Sequence, residues 1–125
     1  MSPQFQLYNA VYARSLSLGY DTYDYLPAKD AKLPFVYVGE QFDQDRQTKL
    51  SLYGDVQQTI HIYGNKKQRM QVTQMINNLK TELRRMKTTD NFYVNVRGID
   101  SQIMIDDSTS TTLLHGIVEV EFTFN

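Results

Sequence analysis

The sequence predicts an α+β domain: a mostly antiparallel sheet with a long helix packed on one face and a shorter N-terminal helix. Three observations lead there. Asn65 to Lys87 repeats apolar residues at helical spacing, with Val72, Met75, Ile76, Leu79, Leu83 and Met86 on one narrow stripe at 100° per residue. β-patterned segments flank it on both sides. Strands are interrupted by only two helical stretches, in the order α-β-β-β-α-β-β-β, which is too few for a doubly wound parallel sheet.

Each element has its own signal. Pro3 to Leu18 reads as the first helix, with Ser2 as cap and Pro3 at the first helical position, where its missing N–H is no loss. Leu7, Tyr8, Val11 and Leu18 line one face, and Gly19 is a stop. A short strand is expected over Thr22 to Leu26, then a turn through Lys29 and Asp30. Phe35 to Val38 is an apolar strand between Pro34 and Gly39. Glu40 to Tyr53 is polar and reads as a long projecting loop. Asp55 to Tyr63 alternates, with Val56, Gln58, Ile60 and Ile62 on one face and Gln57, Thr59, His61 and Tyr63 on the other.

The long helix follows, about 33 Å at 1.5 Å per residue. Asn65 is its expected N-cap, with Gln68 completing a variant capping box. After a turn at Thr88 to Asn91, strands are expected over Phe92 to Val96 and Ile99 to Ile105, separated by Arg97-Gly98. Asp106 to Thr112 is a polar hairpin tip. His115 to Phe124 is the clearest strand: Val118, Val120, Phe122 and Phe124 alternate with Glu119, Glu121 and Thr123, giving one buried and one acidic, wet face.

Length and composition bound the function. The 125 residues suit a single domain able to bury a core. Without cysteine there are no disulfides, thiolate metal sites or cysteine nucleophiles. No apolar run approaches the ~18 residues of a membrane span, and the N-terminus lacks the pattern of a signal peptide, so a cytoplasmic origin is expected. Net charge is −1, which gives no bulk attraction to nucleic acid or anionic lipid. That balance hides an asymmetry. The long helix carries Lys66, Lys67, Arg69, Lys80, Arg84, Arg85 and Lys87 against Glu82, a net of +6, leaving −7 for the rest of the chain.

Candidate chemistry is sparse. His61 and His115 sit in strand patterns far apart in sequence, without a carboxylate that the sequence can place beside them, and read as structural or surface residues. Asp43, Asp45 and Asp55 match no calcium-loop spacing. Asp106 and Asp107 read as turn residues. No phosphate-binding glycine loop and no GxSxG context is present. Lys66, Arg69, Lys80, Arg84 and Lys87 fall on one helix shoulder, roughly 60° to 120° from Val72. That shoulder suits either a solvated or protein-contacting face, or a nucleic-acid contact. Lys66 and Lys67 oppose the helix dipole, which favours an acidic contact there.

The order of phrases along the chain resembles a phage family. Tyr23-Asp24-Tyr25-Leu26-Pro27 is followed by Leu33-Pro34-Phe35-Val36-Tyr37-Val38-Gly39, then a polar loop, then Gln58-Thr59-Ile60-His61-Ile62-Tyr63. The long helix comes next, and last His115-Gly116-Ile117-Val118-Glu119-Val120-Glu121-Phe122. In this arrangement the chain is similar to the tail terminator or tail completion proteins of long-tailed, siphovirus-like bacteriophages.

The resemblance implies a non-enzymatic structural virion protein without a cofactor. Its copies would form a hexameric ring on the head-proximal end of the tail, after assembly in the host cytoplasm. Such a ring caps the tube, stops its polymerisation and offers the surface that joins tail to head. Its implied partners are further copies of itself, the major tail tube protein and a head-completion or connector protein. DNA would pass through without specific binding, and no membrane is involved.

A ring subunit needs complementary surfaces, not a pocket. On this reading the contact surfaces are expected at Asp43, Asp45, Arg46 and Lys49 of the loop, at Lys66, Arg69, Lys80, Arg84 and Lys87 of the helix, and at Asp106 and Asp107 of the tip. Glu119 and Glu121 are expected to face the channel. Another neck protein, a stopper or head-completion protein, remains an alternative, as does a nucleic-acid-binding or nuclease subunit working through the basic helix or the loop aspartates.

Overall fold

The computed structural model describes residues 2–47, 52–108 and 110–125, with the backbone only at 45–47, 52 and 53. It has the predicted α+β architecture. Helix α1 spans Pro3–Ser17, strand β1 Thr22–Tyr23, β2 Phe35–Gln47 and β3 Leu52–Asn65. Helix α2 spans Arg69–Arg84, β4 Val94–Asp106 and β5 Leu113–Phe124. The strands form one sheet in the order β1-β2-β3-β5-β4, antiparallel throughout except for the short parallel pairing of β1 with β2.

One face of the sheet is the core. The period-two pattern puts Val36, Val38, Val56, Ile60, Ile62, Val118, Val120, Phe122 and Phe124 on it, and α2 covers it with Val72, Met75, Ile76, Leu79 and Leu83. The helical stripe is therefore the buried face expected from its spacing, extended by Met86 just past the helix end. Gly116 on β5 permits the close approach: a Cβ there would lie 2.9 Å from Ile76 Cδ1. Helix α1 packs beside α2 through Leu7 and Val11, both fully buried. Ser2 Oγ accepts from the Phe5 N–H at 3.2 Å and caps α1, and the chain turns out at Gly19 with φ +89°.

Several boundaries differ from the sequence expectation, among them the end of α2 at Arg84 instead of Lys87. The polar stretch Glu40–Tyr53 is not a loop over most of its length. β2 continues to Gln47 and β3 begins at Leu52, so the two strands form a hairpin arm paired as far as Gln47 with Leu52. Of its described side chains, Phe42 to Gln44 are exposed, and Gln41 and Asp43 bond to Gln4 of α1 rather than entering an apolar core. The ladder is built from backbone bonds, which leave no hydrophobic period to read.

Phe92–Val96 and Ile99–Ile105 are one strand, β4, because Arg97-Gly98 makes a register shift rather than an end. The element order is accordingly α-β-β-β-α-β-β. β1 stops at Tyr23, not Leu26. Helix α2 begins at Arg69, and Asn65 is not its N-cap. Asn65 and Gln68 still hold the preceding turn: Gln68 Oε1 accepts from the Asn65 N–H at 2.9 Å, the Asn65 carbonyl accepts from the Gln68 N–H at 2.9 Å, and Asn65 Oδ1 accepts from the Lys67 N–H at 2.9 Å. The capping-box residues thus hold the strand-to-helix turn instead of the helix end.

The 88–93 turn is tied down by a buried polar side chain on α1. Gln6 Nε2 donates to Asn91 Oδ1 at 2.9 Å, while its Oε1 accepts from Thr89 Oγ1 at 2.9 Å and from the Asn91 N–H at 3.1 Å. Among the described residues no helix is long and apolar enough to cross a membrane.

Candidate functional site

The second face of the sheet carries no helix, and its chemistry is organised around a bulge. The register of β2 against β3 shifts between Val38 and Gln41. The carbonyls of Gly39 and Glu40 leave the ladder there and need a donor. Gln58, on the core face of β3 and 0% exposed, supplies it: its Nε2 lies 3.1 Å from each of the two carbonyl oxygens. Gln41 Nε2 in turn donates to Gln58 Oε1 at 3.1 Å and to the Gln4 carbonyl at 3.0 Å, linking the bulge to α1. The glutamine in the apolar stripe of β3 is therefore the internal partner of the bulge.

The bulge aims Glu40 across the open face. Its Oε1 lies 2.6 Å from His61 Nε2, and His61 Nδ1 lies 2.7 Å from His115 Nε2. An ionised carboxylate only accepts, so His61 Nε2 carries a proton and donates to Glu40. With neutral imidazoles, His61 Nδ1 is then the acceptor for the His115 Nε2–H. The bond from His61 is the leading cause holding the Glu40 carboxyl below the usual range. Burial, followed by the neighbouring His61, pushes His115 below the ordinary imidazole value. Gly39 leaves space for this row, since a Cβ there would sit 2.9 Å from His61 Cδ2.

The rings stack along the sheet: Tyr37 on His61 at 5.3 Å, His61 on His115 at 5.0 Å, and His115 on Tyr63 at 4.3 Å between centroids. Burial raises the Tyr63 phenol. This arrangement uses the imidazole nitrogens on one another and on Glu40. Among the described residues no group of three His, Asp or Glu is disposed to hold a metal.

The rest of the open face is acidic. Glu119 and Glu121 of β5 lie there, with Asp55 of β3 and Asp100 of β4 on flanking strands. Arg97, thrown out by the β4 bulge, sits among them at 3.6 Å from Asp55 and 3.7 Å from Glu121. Gln57 Nε2 donates to Glu119 at 3.1 Å. The opposite surface of the molecule is the outer side of α2, where Arg69 and Arg84 are exposed and Lys80 half-buried. The charge asymmetry in the sequence thus becomes a polarity through the two layers, positive outside the helices and negative on the bare sheet.

The predicted surface residues fall in several places. Lys66 lies in the turn before α2 and Lys87 after its end, so Arg69, Lys80 and Arg84 alone form the helical part of the basic shoulder. Asp43 accepts from Gln4 Nε2 at 3.1 Å and is tied to α1. Asp45 and Arg46 are in β2; Lys49 lies outside the described residues. Asp106 Oδ1 accepts from the Ser108 N–H at 2.8 Å, and Asp107 from Thr112 Oγ1 at 2.9 Å, as turn-forming aspartates do.

Sequence reasoning missed the Glu40–His61–His115 row and Arg97. The face assignment of His61 and His115 was available from alternation. Their adjacency depends on the β3–β5 register, and the approach of Glu40 on a bulge that leaves no hydrophobic mark.

With the fold in hand, one likeness among solved structures is informative. The chain has the fold of a chain in the virion of a native gene transfer agent particle. The TM-score is 0.67, with 95% of each chain covered and 12% identity. At that identity the likeness is one of fold, and it runs over nearly the whole of both chains rather than a shared motif. No family model matches this chain, and no curated protein matches it in sequence.

Proposed function

We propose that this protein is a structural component of a phage-like virion, and specifically the subunit of a ring that caps the head-proximal end of the tail tube. Capping stops tube polymerisation and leaves the surface on which the head docks. The observation that carries this reading is the fold likeness, over 95% of both chains, to a chain of the gene transfer agent virion.

The surfaces suit the role. The bare, acidic sheet face with Glu119 and Glu121 would repel phosphate and let DNA slide past a channel wall without sticking. The hairpin arm of β2 and β3, which carries Asp43, Asp45 and Arg46, and the β4–β5 tip with Asp106 and Asp107 are the connections where a tube or a head protein can reach the subunit. The shoulder of Lys66, Arg69, Lys80, Arg84 and Lys87 offers a basic surface to an acidic neighbour.

The test is tube assembly with the cognate tube protein. Light scattering should give a hexameric mass, alone or on tube ends, and electron microscopy should show tubes that stop growing when the protein is added. An unchanged length distribution would refute termination. Salt-dependent DNA binding lost in Lys80→Glu/Arg84→Glu would instead favour a nucleic-acid partner.

A further inference from the structure

The sheet has two bare edges. Among the described residues β4 pairs with β5 alone, and β1 covers β2 at Val36 and Tyr37; beyond them the Tyr8 hydroxyl donates to the Val38 carbonyl and Gln58 holds those of Gly39 and Glu40, so the open edge of β2 runs from Gln41 to Gln47. An edge strand turns unpaired N–H and C=O groups outward, a template for another strand. Natural edges are blunted by charge, above all lysine, by proline and by bulges; 38–47 and β4 each have charged residues and a bulge but neither lysine nor proline. Large apolar side chains stand exposed on both edges instead: Phe42 at 70% on β2, Met104 at 42% and Ile105 at 60% on β4.

Strand direction decides what fits. β2 is antiparallel to β3, β3 to β5 and β5 to β4, so β4 runs opposite to β2. Rotation about an axis along the strands preserves direction. It brings β4 of one copy beside β2 of the next as an antiparallel pair, the arrangement that every long pair within the sheet already has. Joining β4 to β4 would need a two-fold axis and would close as a dimer. β4, with thirteen residues, is long enough to pair along the whole of 41–47.

We infer that β4 of one copy pairs with the bare edge of β2 in the next, so that the sheets of the ring form one continuous belt. This inference rests on the ring reading above. It explains how the acidic face is presented on one side all round while the helices stay on the other. It also gives the bulges a use. A closed sheet must bend, and each edge strand carries one bulge, between Val38 and Gln41 and between Val96 and Gly98.

Amide hydrogen exchange on the assembled ring and on the dilute chain tests it. Outward amides within 41–47 and 94–106 should slow by about tenfold or more on assembly, with α2 unchanged. Phe42→Lys should raise the concentration at which rings form at least tenfold while leaving the melting of the monomer unaltered, and it supplies the monomer if the native ring resists dilution. A hexamer whose two edges exchange as fast as in the monomer would overturn the belt and leave the ring standing. A dimer protected in β4 alone would overturn it in favour of two-fold pairing. No assembly at any concentration or on tube ends would remove the ring itself, and the belt with it.

Discussion

Gln58→Leu separates a glutamine that partners the bulge from one merely tolerated in the core. The side chain is fully buried, and leucine is close in size, so little cavity forms. What is lost is the donor shared by the Gly39 and Glu40 carbonyls and the acceptor for Gln41 Nε2. A buried polar group left without a partner costs about 1–3 kcal/mol. Gln41 keeps its bond to the Gln4 carbonyl, and the bulge lies near the wet face, so water recovers part of the loss. Two carbonyls at about 1.5 kcal/mol each, less about 1 kcal/mol from the more apolar side chain, give a net loss of about 2 kcal/mol. For a chain of this length that is roughly 6–10 °C in Tm.

Urea and thermal unfolding followed by circular dichroism read the loss, and histidine NMR reads the geometry. If Gln58 sets the bulge, the bond from His61 to Glu40 loosens in the variant and the His61 Nε2 proton exchanges faster. A variant as stable as the native chain, with its His61 signals unmoved, would refute the argument that Gln58 positions Glu40.

Leu79→Ala, at the centre of the α2 stripe, should cost about 2–5 kcal/mol in urea unfolding, because a fully buried leucine leaves a cavity. Gly116→Ala should cost about 1–3 kcal/mol by pushing α2 off β5, and Ile76→Val should rescue much of it, since the obstructing atom is Ile76 Cδ1; a double-mutant cycle without coupling would contradict the packing. Stability should fall with acid. His115 has its folded value lowered, so the unfolded chain binds the proton more readily; its contribution is complete above about pH 6.5 and is lost as pH drops through the depressed value. Glu40, also lowered, acts in the same direction at more acidic pH. Urea midpoints between pH 8 and 5 should show this slope, and His115→Asn should flatten it.

What was legible in the sequence is what burial writes there. The stripe of Val72, Ile76, Leu79 and Leu83 and the alternation of Val118, Val120 and Phe122 each report one face turned from water, and together they give the layers and the strand that anchors them. The hairpin arm of β2 and β3 is held by backbone pairing as far as Gln47 with Leu52, its sequence carries no hydrophobic period, and a strand looked like a loop. β4 was split for a related reason. Gly98 reads as punctuation, whereas in the sheet the chain continues through a bulge that turns Arg97 toward Asp55 and Glu121.

The bulges also explain why the surface chemistry was harder to read than the core. A residue at a bulge escapes strict alternation, and the two charged residues so placed, Glu40 and Arg97, are those that organise the open face. Glu40 reaches an imidazole pair at one end of it, and Arg97 sits among carboxylates at the other. Without Arg97, Asp55 and Glu121 would be diagonal neighbours on adjacent strands with no cation between them. The face is therefore acidic enough to repel phosphate yet internally compensated where its strands crowd carboxylates together. A chain selected to bind an acidic ligand on that face would have more cations there than one arginine held by two carboxylates. The basic residues Arg69, Lys80 and Arg84 lie instead on α2, and that separation of charge between the two layers is what the proposed channel wall rests on.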